Sequence, residues 1–522
     1  MADYQPSDRN PTATSSAGDP NAANLPDYEH PWYQIMSPTW AFLCDMLAGQ
    51  DEVKKKERVY LPQEPAELYP DYKSRKARSV FFEDYRDCRV NLTGMVFRKP
   101  PTLGDDVPPF IAGVQEQTDE DGNIVVAAQE GLAENIDNAG TGLDVFLQRV
   151  FDDAFMGHSF IVVDRSVADP NAQTLADEQA SGARTYWCMR SVMDTPNWRY
   201  EIRNGETVLT QITFRECTSE AAGQFGVQEV TRYRVYYLDD NGDAAWTLWR
   251  EYVDQNGTKT FDNEAAGYVR TVRGVPLKRL PVAVHYGEYE GFLKSRPPLK
   301  SIADINLAYY QKYSDLTNIE HHTCSVTLCI TGEDPGTEAG KVLGGNRVVY
   351  IPIGGKAEFL SVSGDSIPAL ERDLEGLQKR MVHKGLDFIQ EDHRVPATAT
   401  EIMLGYVERM SKLARMVRSL IDATELALQI TAEIEGLPQG GSISIGVDEN
   451  SLTLTPQDLR FYSEMNERGQ LSLQTLWQMM DRADLLPDDF DEKQEKAQLD
   501  EAALQQMELN AKQFDAGIES TP

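Results

Sequence analysis

The stretch RPPLKSIADINLAYYQKYSDLTNIEHH (296–322) and its counterpart SIPALERDLEGLQKRMVHKGLDFI (366–389) decide how the chain is laid out. In the first, Leu299, Ile302, Asn306, Tyr309, Tyr313 and Leu316 step by three or four, which places them on one stripe of a helix ending near His322. In the second the stripe is Ile367, Leu370, Leu374, Leu377, Met381 and Phe388. Pro368 is tolerated there, because a first-turn residue has no helical partner for the N–H that proline lacks. Between the two lie strand-like runs, Val326–Ile330, Arg347–Ile353 and Glu358–Val362, broken by glycines at 332, 336, 340, 344, 345, 354 and 355. After a short loop, Gln390–Ala397, Thr398 and Glu401 fit a capping box that opens a third helix running to about Glu435. Its seam is Met403, Tyr406, Met410, Leu413, Val417, Leu420 and Thr424. Two long helices flanking a compact insert predict an antiparallel pair with a knob at one end, an unusual layout for a metabolic enzyme.

Working outward, residues 1–30 are rich in Pro, Ser, Ala, Asn and Asp and read as a flexible tail. Trp40–Leu47 reads as a short helix and Pro70–Arg89 as a longer one with a basic cluster, Lys73, Arg75, Lys76 and Arg78. Residues 101–144 hold ten acids and no Lys or Arg, and Leu143–Met156 reads as an amphipathic helix. A β-rich stretch follows: Phe160–Val163, Tyr186–Met189, Val208–Phe214, Tyr233–Leu238, Trp246–Tyr252 and Val282–Tyr286, with Asn204-Gly205 and Asn241-Gly242 as hairpin turns. The last 70 residues carry 15 acids against 6 bases and read as two or three short polar helices.

The 83 acids outnumber the 50 bases, for a net charge of −33. Such a surface does not grip DNA by broad phosphate neutralisation, although a wall past which DNA slides would also avoid a sticky basic lining. Six scattered cysteines (44, 88, 188, 217, 324, 329) read as reduced thiols in a cytosolic setting. With no signal peptide at the start and no long apolar run, the expectation is a soluble intracellular product with no membrane partner.

Motifs for chemistry are weak. Gly157-His158-Ser159-Phe160-Ile161 approaches a nucleophile elbow, but Ile161 stands where the last glycine belongs, and a strand continues beyond it. Gly336–Lys341 has a phosphate-loop flavour with one residue too few between its glycines and Val342 in place of Ser or Thr. His321, His322, Cys324 and Cys329 straddle a helix end running into a strand, which would splay zinc ligands; histidines satisfying terminal carbonyls are the plainer reading. No catalytic residue, metal or cofactor is assigned. The minority bases stand out more: Arg409, Lys412, Arg415 and Arg418 recur every three residues on the third helix. They read either as an exposed face pairing with neighbouring acids or as contacts to a polyanion or an adjoining subunit. The loop Gln390, Glu391, Asp392, His393 and Arg394 sits at a sharp reversal, where function concentrates.

Taken in order, the two helices, the Gly-rich insert and ATATE (397–401) resemble tailed-bacteriophage portal proteins, in particular those grouped in the DUF4055 family. VNLTGMVFRKPP (90–101), FDDAFMGHSFIVVD (151–164) and LTPQDLRFYSEMNERGQLSLQTLWQMMDRADLLPDD (454–489) extend the resemblance over about residues 31–490. It implies an α+β portal fold assembled as a ring of roughly twelve copies at one capsid vertex. Carried onto this chain, 1–30 is the flexible tail, 31–297 the N-terminal part of the wing, 298–324 the first stem helix, 325–366 a small α/β clip and 367–389 the second stem helix. Residues 390–397 form the tunnel loop, 398–447 the long helix and the C-terminal part of the wing, and 448–522 a helical crown and acidic tail. The stem seam is Leu299, Ile302, Tyr309, Tyr313, Leu316, Leu370, Leu374, Leu377 and Met381.

The implied function is a non-enzymatic channel for packaging and ejection of double-stranded DNA, located in the virion. Its partners are copies of itself, the duplex, the terminase large subunit, then the head–tail adaptor, with the major capsid protein and scaffold around the wing. Other readings stay open. One is a different phage ring protein, an adaptor or baseplate component, distinguished by whether 325–366 binds terminase. The other is a soluble hydrolase using Ser159 or an acidic pair.

Overall fold

The computed structural model describes residues 24–114, 117–118, 124–126, 129–166, 184–253, 259–324, 327–331, 356–360, 366–389, 412–446 and 472–482, with Met465, Glu495 and Lys496 as isolated positions. The chain divides into two units, Met1–Ile445 and Gly446–Pro522. The first groups helices at either end of a long run of strands, an α+β arrangement.

Helix α1 (Pro31–Ala48) starts earlier than its sequence suggests. Pro31 occupies the first turn, and the His30 ring accepts the Trp32 N–H at 3.1 Å. Helix α2 (Gln50–Lys55) follows. The single helix expected over Pro70–Arg89 is two, α3 (Tyr69–Arg78) and α4 (Asp84–Val96). The break falls at Ser79, whose backbone is extended and whose hydroxyl donates to the Arg75 carbonyl at 2.8 Å, ending α3.

In the acid-rich segment, β1 (Thr102–Leu103), helix α5 (Pro109–Ala112) and the small pair β2 (Gln117–Thr118) and β3 (Ile124–Val126) lead into α6 (Leu143–Asp153). A three-stranded antiparallel sheet has the order β11–β4–β5, with β4 (His158–Arg165) central, β5 (Thr185–Ser191) on one side and β11 (Val282–Tyr286) on the other. All six residues from His158 to Val163 are buried, so β4 is covered on both faces.

Between β5 and β11 the chain makes a five-stranded antiparallel meander: β6 (Asn197–Arg203), β7 (Glu206–Ala222), β8 (Gly226–Leu238), β9 (Ala244–Val253) and β10 (Lys259–Tyr268). Asn204 and Gly205, at φ +53° and +88°, supply the two left-handed residues of the β6–β7 turn. Strands β6 and β10 were not anticipated: KTFDNEAAGY is largely exposed and too polar to show alternation, whereas NWRYEIR does alternate at Trp198, Tyr200 and Ile202, a signal the sequence reading missed.

After a short hairpin of β12 (Glu288–Gly291) and β13 (Lys294–Arg296) come α7 (Lys300–Cys324), β14 (Thr327–Thr331), β15 (Lys356–Leu360) and α8 (Ile367–Ile389). Helix α9 (Lys412–Glu435) buries a broad face, from Leu413 to Ile434, and packs on β4 and β11. Trp187 Nε1 donates to Thr431 Oγ1 at 2.9 Å, and the Tyr286 N–H to Ser419 Oγ at 2.9 Å, locking the helix to the sheet. Strand β16 (Ile443–Ser444) returns to pair with β1, where Asp106 Oδ1 accepts the Ser442 N–H and hydroxyl at 3.0 and 2.7 Å. In the second unit, α10 (Leu473–Arg482) is capped by Ser472, whose Oγ accepts the Thr475 N–H at 3.1 Å. Among the described residues no helix is long and apolar enough to cross a membrane.

Three ionisable groups lie in the core around β4. Burial pushes His158, whose Nδ1 lies 2.6 Å from Ser295 Oγ, and His285, stacked on Phe151, down to about 3 from 6.5. Burial also pushes Asp153 up to about 7 from 3.8, against the opposing pull of Arg89 and Ser191. Below pH 6.5 each histidine takes up a proton only on unfolding, so acid removes stability down toward pH 3. Asp153 does the reverse: between 3.8 and 7 it releases a proton on unfolding, so its penalty grows as pH rises through that window. Asp153→Asn should therefore make the acid-driven loss of unfolding free energy between about pH 6 and 4.5 steeper, by roughly one proton or about 1.4 kcal/mol per pH unit. Urea titrations across this range check it; equal slopes for variant and parent would overturn the assignment.

Candidate functional site

The site is built on α7 and α8. Tyr309, Leu316, Leu374 and Met381 form a buried cluster, with Ile305, Tyr313, Ile367, Leu370 and Leu377 packed against it. Cross-contacts set an antiparallel register: Lys312 pairs with Asp373, and Gln378 Nε2 donates to Tyr309 Oη at 3.4 Å. The Lys312 ammonium holds the Asp373 carboxyl below its ordinary range. At the end of the pair where α7 stops and α8 starts, β14 and β15 pair antiparallel, Thr327 opposite Leu360. The chain therefore leaves and re-enters the pair side by side.

A second stripe of α7, one residue and about 100° round the helix, faces α3 and α4. Asn306 is fully buried; its Oδ1 accepts the Tyr85 N–H at 3.1 Å and its Nδ2 donates to the Phe82 carbonyl at 2.9 Å. Glu83 leaves the N-terminus of α4 without a side-chain cap, so Asn306 supplies it from another helix. Ser314, equally buried, donates to Ser79 Oγ at 2.7 Å, whose own proton goes to the Arg75 carbonyl, and accepts from Arg75 Nη1 at 3.3 Å. Arg75 is fixed in turn by two bonds to Glu67, at 2.8 and 2.9 Å, and one to the Pro62 carbonyl at 2.8 Å. That contact holds Glu67 below the usual carboxylate range. Arg78 reaches Asn318 Oδ1 at 2.8 Å and Gln311 reaches the Tyr60 carbonyl at 2.8 Å. Phe82 wedges between the stripes, edge-on to Tyr309 and Tyr313 with ring centres 5.7 and 5.2 Å away.

The seam residues divide. Tyr309, Leu316, Leu374 and Met381 form the cluster, and Tyr313, Leu370 and Leu377 flank it. Leu299 and Ile302 are buried too, but lie outside it. Lys412, Arg415 and Arg418 are exposed along one face of α9, whereas Arg409 lies outside the described residues. Gln390, Glu391, Asp392, His393 and Arg394, the capping box at Thr398 and the Gly336–Lys341 loop also lie outside them.

Ser159 is no nucleophile: it is fully buried on β4 and donates to the Val150 carbonyl at 2.7 Å. The preceding Gly157 takes φ +134°, and a Cβ there would stand 2.6 Å from Ser295 Oγ, so the glycine serves the close approach of β13. His321 and His322 are exposed at the end of α7 with ring centres 5.7 Å apart. Among the described residues no three His, Cys, Asp or Glu side chains are grouped to hold a metal ion.

The sequence reading missed the role of Arg75, Ser79, Ser314 and Asn306. The sequence reading put Asn306 on the stripe of Tyr309 and Tyr313, whereas the structure turns it to α4; as the one polar member of that set it was the signal that a partner was needed.

The model of a family described as a domain of unknown function, DUF4055, matches residues 298–434, about a quarter of the chain. The match takes in α7, β14, β15, α8 and all but the last residue of α9. No curated protein matches the chain.

Asn306→Ala should cost roughly 1–3 kcal/mol, since it strands a buried N–H and a carbonyl on the α4 side. Lys312→Ala removes only an exposed ion pair and should cost less than about 1 kcal/mol. Urea unfolding of the two variants side by side checks the contrast; equal costs would remove Asn306 from its capping role.

Proposed function

We propose that the protein is a phage portal, a ring of roughly twelve copies through which double-stranded DNA is packaged and later ejected. The observation that carries this reading is the paired helices α7 and α8, bearing an antiparallel β insert at one end and buttressed on the outer stripe of α7 by the N-terminal helices. The family match over the same segment supports it without naming a function.

In this reading α7 and α8 form the stem, and the 325–366 insert is the clip that meets the terminase large subunit and then the adaptor. The sheets and N-terminal helices form the wing against the capsid, and the second unit contributes the crown. The net charge of −33 per copy suits a wall past which a polyanion slides. Residues 390–397 follow α8 in the sequence and, as the tunnel loop, bring His393 and Arg394 to the duplex.

Electron microscopy and mass photometry of the purified full chain test the assembly. Rings of roughly twelve copies, with a hole wide enough for a duplex, are expected; a chain that stays single with capsid and scaffold proteins present would overturn the portal reading. Deleting 391–394 should leave rings intact and lower the DNA content of virions. Unchanged DNA content would remove the loop from the channel.

A further inference from the structure

Strands β7 and β8 run past their neighbours. Strand β6 pairs with β7 only as far as Thr213, and β9 pairs with β8 only from Arg232 onward. The last rungs, from Ser219 opposite Glu229 to Ala222 opposite Gly226, therefore form a two-stranded arm. Every residue from Ala221 to Glu229 is exposed. The turn is tight, with Gly223 at φ +72°, and its tip presents Phe225 at 91% and Val227 at 71% exposure. A two-stranded ribbon is marginal in water by itself, and a phenylalanine held at its tip gains nothing there from the folded chain.

At the other end of the same strand lies a recess of about 470 Å³ lined by Tyr28, His30, Trp198, Tyr200, Glu201 and Thr210 among others. His30 stacks on Trp198 at 4.1 Å, and Tyr200 leans on Phe292 at 5.0 Å. Trp198 is 1% exposed, and its indole N–H has no acceptor among the described residues. An aromatic hollow of this kind fits a ligand that brings an apolar ring. The arm tip brings one, in Phe225.

A chain cannot fill its own recess. Thr210 at the recess and Ala222 at the arm are twelve residues apart on one strand, or roughly 40 Å. Tip and recess are different patches on one molecule, so their contact is head-to-tail, the kind that closes into a ring when the rotation permits. We propose that Phe225 of one copy seats in the Trp198–Tyr200 recess of the next. This rests on the ring reading above and names the contact that builds the ring. The contact is aromatic at Trp198 and Tyr200, with Arg199 and Glu201, one charge of each sign, beside them.

The test uses two differently tagged full-length preparations, Q224C, which keeps Phe225, and E201C, both with Cys217 and Cys324 changed to Ser. Mixed and mildly oxidised, they should give a disulfide-linked pair containing one of each tag, absent when either is alone. In parallel, F225S should raise the concentration for half-assembly by roughly tenfold or more without changing the melting temperature. Wild-type rings with no mixed disulfide and unshifted F225S assembly would overturn the arm contact and leave the portal reading standing. A mixed disulfide in open filaments would support the contact and overturn the ring. Single wild-type chains with no mixed disulfide would overturn both.

Discussion

The buried side chain of Asn306 is the constraint on which the arrangement of α7 and α8 depends. Fully buried, it closes the start of α4 by taking the Tyr85 N–H and giving a proton to the Phe82 carbonyl. Those bonds fix the rotation of α7 about its own axis, because a buried amide tolerates little angular error. The apolar seam lies one residue round from that stripe, so its direction is set at the same time. Helix α8 takes its register from the seam, and β14 and β15 take theirs from the ends of the two helices. Packing alone would allow α7 to roll by some tens of degrees; the band of Asn306, Ser314 and Arg75 does not.

What could be read from the sequence follows from range. The seams of α7 and α8 repeat every three or four residues and need only local information, as does the Asn204-Gly205 turn. Arg75 read as part of an exposed basic cluster because its bond to Ser314 spans 239 positions, which no window of sequence reveals. The break between α3 and α4 carries neither Pro nor Gly; it arises from a serine hydroxyl turned back on its own helix. At α1 the error ran the other way: the short helix read over Trp40–Leu47 begins at Pro31, where a proline costs nothing in an initial turn. Of the candidate site, the helix seam was legible. Its buttress was not, because it joins residues 60–85 to α7 across more than 200 positions of sequence.

Many cations of the described sheets and helices are engaged within the fold. Arg232 and Arg250 each bridge Glu220 and Glu264, Arg190 and Arg234 share Glu216, and Arg89 holds Asp152 by two 2.7 Å bonds. With 50 bases set against 83 acids, pairing of this kind leaves the surplus negative charge to the remaining acids. The field of the molecule is thus a product of its internal ion pairs as well as of its composition.

Strands β14 and β15 have a consequence for protein engineering. Because Thr331 and Lys356 are paired neighbours, the backbone crosses from one to the other with its ends already held together. The entropic cost of a loop closed between fixed ends rises only with the logarithm of its length, by about 0.6 kcal/mol per doubling. The helix pair below is therefore largely indifferent to how much polypeptide the crossing contains. This part of the chain is a natural cassette, where a reporter, an affinity handle or a foreign domain can be spliced in while the register of α7 against α8 is preserved.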